Sequence, residues 1–234
     1  MLAYGTNLIR EVIKSNHKIN EVIIKEGFND KEILSLLNGC NAKRTTLKKE
    51  EFSRKYAQAK QGLVLDIEDY KYYDLDELIK NHQNNSVVLM LDSLEDPHNL
   101  GAIIRSFDAS GGDFIIIPKN NSVSLNETVA KVSTGSINYV KIAQVTNLNQ
   151  TIKKLKENGY WVVGTEMNAK IDYTKIDSSV PLCIVIGNEG FGISRLVKEN
   201  CDYLVNIPMV GTVNSLNASV AASIILFDIM MRRK

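Results

Sequence analysis

The chain has 234 residues, of which 24% are charged and 44% hydrophobic, so it is long enough to bury a core and wholesale disorder is excluded. A formal net charge of +1 excludes a global electrostatic field that attracts nucleic acid, so RNA binding would need a local patch. Three cysteines without a CxxC pair and three scattered histidines favour neither a disulfide framework nor a metal site.

No segment of the sequence predicts insertion into a membrane. The N-terminus lacks the long apolar stretch of a signal peptide. The longest apolar stretch, residues 220–231, is interrupted by Ser223 and Asp228 and is too short to span a bilayer. We therefore expect a cytoplasmic protein without a membrane partner.

Residues 1–70 alternate short helical and strand patterns, which predicts a small α/β domain. The pattern predicts helices at residues 8–13 and 33–37, each followed by a strand, at residues 21–25 and 62–66. Residues 71–85 are polar and lose this alternation. They predict a linker that contains one helical turn.

A basic segment, residues 41–61, precedes the last strand of this small domain. It holds seven cations against two acids, with Tyr56 among them. Such a segment is typical of phosphate contacts with RNA and equally of the solvated face of surface helices, and the residues alone leave both open. The candidates for RNA contacts are Lys43, Arg44, Lys48, Lys49 and Lys60.

From residue 86 onwards, continuous apolar runs alternate with helical patterns. Runs of this kind are typical of strands buried on both faces, so the sequence predicts a parallel sheet covered by helices on both sides. The predicted strands are residues 87–91, 114–117, 160–163, 182–186 and 203–207. The predicted helices are residues 99–110, 148–157, 193–200 and 215–231. Ligands of such sheets bind beyond the carboxyl ends of the strands.

The glycine-rich segment Gly187–Gly192 follows one of these strands. Its spacing, G-x-x-G-x-G, is the reverse of the dinucleotide-binding fingerprint, and Glu189 would repel a pyrophosphate. A dinucleotide site, and with it a Rossmann dehydrogenase, is therefore disfavoured. A ligand with an adenosine and a cationic centre but no phosphate would suit an exposed backbone and one carboxylate.

Two further strand ends carry polar residues. Asn99 stands at the start of a helix with an apolar stripe, and Arg105 projects from nearly the opposite side, as a solvated surface charge also would. Ser215 and Asn217 precede a helix with a face of small alanines, where either could simply cap the helix. Each segment alone is therefore weak.

Taken together, the three segments resemble the three motifs of the SpoU (TrmH-type) family of RNA 2′-O-ribose methyltransferases. Asn99-x-Gly101-x-x-x-Arg105 resembles the first motif, residues 186–192 the second and residues 207–217 the third. In addition, Tyr4-Gly-Thr-Asn7 and Gln61-Gly62 are similar to the substrate-binding domain of the bacterial 23S rRNA guanosine methyltransferase branch (RlmB-like). Lys60 stands where that branch often has histidine, which leaves the RNA target open.

The resemblance implies a fold and a function. It implies an α/β catalytic domain over residues 86–234, whose parallel sheet ends in a C-terminal trefoil knot (the SPOUT-type α/β knot), preceded by a small α/β RNA-binding domain. Its members are homodimers that use S-adenosylmethionine to methylate a ribose 2′-hydroxyl. We therefore expect a guanosine of 23S rRNA as substrate, with tRNA, or a non-catalytic ribosome-assembly role in RNA binding, as alternatives.

The resemblance also assigns residues to roles. The resemblance implies that Arg105 activates the ribose 2′-hydroxyl. Because the pKa of an arginine is too high for a base, our own hypothesis is that Arg105 instead holds the neighbouring RNA phosphate bidentately. The implied catalytic residues are Asn99, Arg105, Glu189, Ser215 and Asn217. The implied cofactor contacts are Gly164, Thr165, Gly187, Ile207, Met209 and Leu216, and no metal is implied.

Overall fold

The computed structural model describes residues 1–80 and 85–233. The strands, numbered along the chain, are β1 (Leu2–Ala3), β2 (Ile19–Lys25), β3 (Lys43–Leu47), β4 (Leu63–Ile67), β5 (Val87–Leu91), β6 (Phe114–Pro118), β7 (Lys141–Val145), β8 (Trp161–Thr165), β9 (Ile171–Asp172), β10 (Leu182–Ile186) and β11 (Tyr203–Asn206). The α-helices are α1 (Thr6–Lys14), α2 (Lys31–Leu37), α3 (Lys49–Lys55), α4 (Leu75–Lys80), α5 (Pro97–Ser110), α6 (Glu127–Val132), α7 (Leu148–Glu157), α8 (Arg195–Asn200) and α9 (Ala218–Arg232).

The chain forms two compact units, each built from two segments. The first unit comprises Met1–Lys71 and Leu125–Tyr139, and the second comprises Tyr72–Ser124 and Val140–Lys234, as far as their residues are described. The second unit thus begins at Tyr72, inside the predicted linker 71–85. The helical turn predicted there is α4, which buries Ile79 in the core of the second unit. Residues 81–84 of that linker lie outside the described residues.

The first unit contains a sheet in the order β1-β4-β2-β3. β4 pairs antiparallel with β1 and β2, and β2 pairs parallel with β3. The four elements predicted for residues 1–70 are confirmed as α1, β2, α2 and β4. The sequence analysis missed β3 and α3, which together form most of the basic segment.

The second unit contains a parallel sheet in the order β7-β6-β5-β10-β8-β11-β9. All residues of β5 and β10 are buried, as their apolar runs predicted, because helices cover both faces of the sheet. The α/β class and the five predicted strands are confirmed, while the knot stays a prediction. Among the helices of the described residues, none is both long and apolar enough to cross a bilayer.

Two helices carry the first and third motifs, and each begins at a side-chain cap. Asp96 accepts the backbone N–H of His98 at 2.8 Å at the start of α5, where Pro97 supplies a preset helical φ. Asn217 caps α9 by accepting the N–H of Ser219 at 2.9 Å. The two helices pack against each other, so the first and third motifs lie side by side.

Candidate functional site

The site lies at the carboxyl edge of the second unit's sheet, where a cleft of about 570 Å³ opens. The strand order places β5, β10, β8 and β11 next to one another, so the loops that follow them meet at one edge. Three of those loops supply most of the lining of the cleft, in residues 165–168, 186–192 and 205–216.

The glycine-rich loop after β10 is a tight turn in which the chain closes on itself. Asn188 N–H donates to the Gly192 carbonyl at 3.1 Å, and Gly192 N–H donates to the Asn188 carbonyl at 2.8 Å. A Cβ at Gly187 would lie 2.1 Å from the Gly192 carbonyl carbon, so no side chain fits there. Only Gly192 of this loop has a positive φ, at 66°. Gly187 is therefore required for close approach.

Glu189 joins the three sequence motifs through hydrogen bonds to one carboxylate oxygen. Its Oε1 accepts Nδ2 of Asn99 at 2.8 Å and also accepts Nδ2 of Asn217. Asn217 Nδ2 donates in addition to Oδ1 of Asn99 at 2.9 Å. Three residues far apart in the sequence thus form one polar network, here called the amide network, at the edge of the cleft.

Asn217 serves both as a helix cap and as a member of the amide network. Its Oδ1 accepts the N–H of Ser219, while its Nδ2 points to Asn99 and Glu189. The expected helix cap is therefore confirmed, and the same side chain also joins the amide network, because one side-chain amide has a donor end and an acceptor end.

Asp92, at the end of β5, holds the chain just after the glycine-rich loop through a hydrogen bond. Its buried carboxylate accepts the backbone N–H of Ser194 at 2.7 Å and the hydroxyl of Ser93 at 3.0 Å. Ser93 has a left-handed backbone, with φ of 59°, and its carbonyl accepts Nδ2 of Asn188 at 3.0 Å. The role of Asp92 could not be predicted from the sequence, since its partner lies 102 positions away.

The residues expected to contact a cofactor line the cleft, with one exception. Thr165, Gly187, Ile207, Met209 and Leu216 are part of its wall. Gly164 is buried in β8 instead, where a Cβ would lie 2.6 Å from the Leu204 side chain and 2.9 Å from the Cys201 sulfur. Gly164 therefore meets a packing requirement between β8 and its neighbours.

The expected catalytic residues differ in how closely they approach the cleft. Ser215 is exposed and lines the cleft, as Glu189 does. Arg105 is exposed on α5, and within the described residues its guanidinium forms no hydrogen bond or ion pair, including none with Glu189. The guanidinium is thus free to bind an anion from solution.

Two groups next to β8, of which only Glu166 lines the cleft, were not found by sequence reasoning. Glu166, which follows β8, lines the cleft and forms an ion pair with Lys198 of α8. Cys201, at the end of α8, has its thiol pKa raised to about 12 by burial, so it stays protonated near neutral pH. Cys201 is therefore a packing residue, and Glu166 is a carboxylate already neutralised by a cation.

The basic segment of the first unit does not present its cations equally. Lys43 pairs with Glu21 at 3.0 Å, and the Arg44 guanidinium donates to the Leu37 carbonyl at 2.5 Å. Lys48, Lys49 and Lys60 are exposed, and the described residues contain no salt-bridge partner for them. These three lysines are therefore available to a phosphate, as is Arg54, which is also exposed.

Comparisons with known proteins agree with the three motifs. Residues 86–227 match the SpoU rRNA methylase family, and residues 2–73 match the RNA 2′-O ribose methyltransferase substrate-binding family. A candidate TrmH family tRNA/rRNA methyltransferase of Staphylococcus saprophyticus is 46% identical over 98% of this chain and 94% of its own length.

Two solved structures resemble the whole chain. An S-adenosylmethionine-bound rRNA methyltransferase from Sinorhizobium meliloti is 25% identical, with a TM-score of 0.83 over 99% of this chain and 87% of its own. The SpoU methyltransferase AviRb from Streptomyces viridochromogenes, in complex with the same cofactor, is 24% identical, with a TM-score of 0.87 over 100% of this chain and 90% of its own. The AviRb match shows the fold. The family assignment made from the motifs is confirmed.

Proposed function

We propose, because the chain belongs to the SpoU family of RNA methyltransferases, that it transfers a methyl group from S-adenosylmethionine to a ribose 2′-hydroxyl of RNA. The proposed substrate is a guanosine of 23S rRNA, and the proposed enzyme acts as a homodimer in the cytoplasm. The observation that carries the proposal is the amide network, which brings Asn99, Glu189 and Asn217 together beside the cleft.

The cleft suits S-adenosylmethionine in both volume and charge. The side chains of Ile207, Met209 and Leu216 offer apolar contacts for an adenosine, and the glycine-rich loop offers exposed backbone. Glu189 accepts hydrogen bonds only from neutral amide groups among the described residues, and no described cation pairs with it. Its uncompensated negative charge favours a cationic ligand over a neutral one. When bound, the cofactor would supply a methyl group on a positively charged sulfur.

Arg105 would act on the RNA rather than on the cofactor. A ribose 2′-hydroxyl is weakly acidic, so the enzyme must align it and stabilise the negative charge that develops on its oxygen. An exposed guanidinium without a protein partner can hold a phosphate through two parallel hydrogen bonds. Bound to the phosphate next to the target ribose, its positive charge would lower the cost of the alkoxide.

The amide network would hold the reacting groups in place. Asn99 precedes Arg105 on the same helix, α5, and its amide is fixed by Glu189 and Asn217. Ser215 lies in the same loop as Asn217 and has an exposed hydroxyl that could bind the ribose. This arrangement favours positioning over proton transfer, since two of the three members of the network, Asn99 and Asn217, are neutral amides.

The choice of 23S rRNA rests on the first unit. The substrate-binding match covers residues 2–73, and the solved Sinorhizobium meliloti relative is named an rRNA methyltransferase. The Staphylococcus saprophyticus relative is named for both tRNA and rRNA, which makes tRNA the second candidate substrate.

Two measurements test the proposal. S-adenosylmethionine should raise the melting temperature of the purified protein, whereas NAD should not, since only a ligand that binds the folded state stabilises it. Labelled methyl groups should then appear in 23S rRNA transcripts at a higher rate than in bulk tRNA, and nuclease digestion should locate them on a ribose. A protein that neither binds the cofactor nor labels either RNA would overturn the proposal. Labelling of tRNA alone would replace the substrate.

A further inference from the structure

Phe191 stands out on the surface of the second unit because it is an aromatic side chain with 93% of its area exposed. It lies in the glycine-rich loop, two residues after Glu189. An isolated exposed leucine or valine needs no explanation in a folded protein. A phenyl ring held out from a loop that also carries the amide network does need one.

The loop displays this ring on a fixed backbone. The turn from Asn188 to Gly192 is closed by the two backbone hydrogen bonds described above. The Asn188 side chain adds two more, donating to the Ser93 carbonyl at 3.0 Å and accepting the N–H of Gly190 at 2.8 Å. The backbone that carries Phe191 is therefore fixed, and a partner would not have to order the loop on binding.

The residues beside Phe191 leave room for a flat group. A Cβ at Gly190 would meet only Oδ1 of Asn188, at 3.5 Å, and a Cβ at Gly192 would meet nothing within 4 Å. In the part of the chain that the structure describes, no aromatic ring or cation covers the phenyl ring. Both neighbours are thus small, and the ring is open to an approaching surface.

We propose that Phe191 is a stacking platform for an unpaired nucleobase of the RNA substrate, next to the nucleotide that is methylated. This inference rests on the proposed function. Glu189 belongs to the network that would position the target ribose, so a base attached to that ribose or to the next one comes within reach of the ring. RNA bases that are splayed out of a helix commonly stack on aromatic side chains. Phe191 is itself one of the residues that line the cleft, and with 93% of its area exposed the ring remains open to a macromolecular partner.

The test compares Phe191→Trp, Phe191→Leu and Phe191→Ala, all in a Trp161→Phe background, which removes the natural tryptophan. Leucine is the matched control, since it keeps an apolar side chain but has no π-face. We expect the KM for a 23S rRNA transcript to rise roughly 10-fold with alanine and almost as much with leucine, and to stay near the wild-type value with tryptophan. The indole fluorescence of the Phe191→Trp variant should be quenched by RNA and not by S-adenosylmethionine.

Three results would overturn the inference. A leucine variant with the wild-type KM would show that the ring needs no π-face. A rise in the Kd for S-adenosylmethionine equal to the rise in KM would place the ring against the cofactor. A change of oligomeric state in light scattering of the alanine variant would show that a second copy of the chain covers it.

Failure of the proposed function gives a different pattern. If the wild-type protein labels no RNA, the enzymatic proposal fails. The fluorescence titration with a 23S rRNA transcript still decides whether the ring stacks on bases, because it measures binding without methyl transfer. If the wild-type protein labels RNA, but the three variants match it in KM and RNA does not quench the indole, the stacking inference alone fails.

Discussion

At the scale of single residues, Arg105 and Glu189 are two charged side chains that form no ion pair within the described residues and can therefore bind a charged ligand. Arg105 is exposed and, within the described residues, has no ion pair. Glu189 is held by neutral amides, so its position is fixed without an ion pair to any cation of the described residues. A salt bridge between the two would have neutralised both. Under the proposed function, their separation would leave one charge for the RNA and the other for the cofactor.

The bidentate role of Arg105 predicts a large effect of a conservative change. Arg105→Lys keeps the positive charge but loses the planar fork, so we expect methyl transfer to fall about 10-fold or more at saturating cofactor. The melting temperature should not change, because surface substitutions without partners alter stability by only about 0.5 kcal/mol. Arg195→Lys is the control, since Arg195 is likewise exposed, at the start of α8. Near-full activity of Arg105→Lys would rule out the bidentate contact.

Residue identities in the three motifs could be predicted from the sequence, but their partners could not. Asn99, Glu189 and Asn217 were expected to act together, and the structure brings them together. No role could be predicted for Asp92 or Lys198. An acid at a strand end or a lysine on a helix can pair with many different groups, and the sequence does not say which. Only the fold decides which backbone N–H or carboxylate lies nearby.

At the scale of elements, apolar periodicity located the buried strands and long helices but missed the short and exposed ones. β3 has the sequence KRTTL and is mostly exposed, so it carries no run of apolar residues. β7, at the edge of the sheet, has the sequence KIAQV, which is neither a continuous apolar run nor an alternating pattern, and its five residues are too few to stand out. β1 and β9 have two residues each and are defined as strands only by their pairing with β4 and β11. Sheet order likewise depends on pairing that no local pattern encodes.

The loop after β5 supports the glycine-rich loop. Loss of the Asp92 carboxylate should therefore affect both the stability of the protein and its affinity for the cofactor. Asp92→Ala removes the acceptor for the Ser194 N–H and should lower the free energy of unfolding by about 1–3 kcal/mol. It should also raise the Kd for S-adenosylmethionine, measured by calorimetry, because the loop that lines the cleft loses its anchor.

Asp113 offers a matched control, because its carboxylate binds the amino end of β5, whereas Asp92 lies at the carboxyl end. The Asp113 carboxylate accepts the N–H of Val87 at 2.6 Å at the start of β5, at the opposite end of the strand from the cleft. Asp113→Ala should cost similar stability and leave the Kd for the cofactor unchanged. Equal effects of the two substitutions on that Kd would contradict the anchoring role of Asp92.

The start of α3 predicts which cations of the basic segment bind RNA. Lys48 and Lys49 are exposed there, whereas Lys43 of β3 is paired with Glu21. Replacing both Lys48 and Lys49 with glutamine should reduce the slope of log affinity for RNA against log salt by about 1–2, since each lost phosphate contact removes about 0.7–0.9. Lys43→Gln should change the slope less. An unchanged slope for the double variant would assign α3 to solvent instead.

At the scale of the whole molecule, the first unit is built from two distant segments. Leu2 N–H donates to Oε1 of Glu127 at 3.0 Å, and the Tyr139 hydroxyl donates to Oε2 of Glu11 at 2.8 Å. Val129 and Ala130 of α6 are fully buried in the same unit. The match to the substrate-binding family, residues 2–73, contains only the first of these segments.

This division predicts that residues 1–71 alone form an incomplete unit. A fragment that joins residues 125–139 to residues 1–71 through a Gly/Ser linker should melt at a higher temperature than residues 1–71 alone, as followed by circular dichroism. The reason is the burial of Val129, which contributes about 1.5–3 kcal/mol when a side chain of that size leaves water. Identical melting curves would show that α6 adds nothing to the first unit.

The central place of β10 sets the order in which the sheet can be completed during synthesis. β10 pairs with β5 on one side and with β8 on the other. The two earlier strands, β5 and β8, therefore do not pair with each other. A nascent chain that has emerged only as far as β8 therefore leaves an open strand edge on each of them. Such edges are where growing chains aggregate, and non-local parallel pairing is slow. We therefore expect the nascent chain to be most prone to aggregation in the interval between translation of residues 161–165 and of residues 182–186.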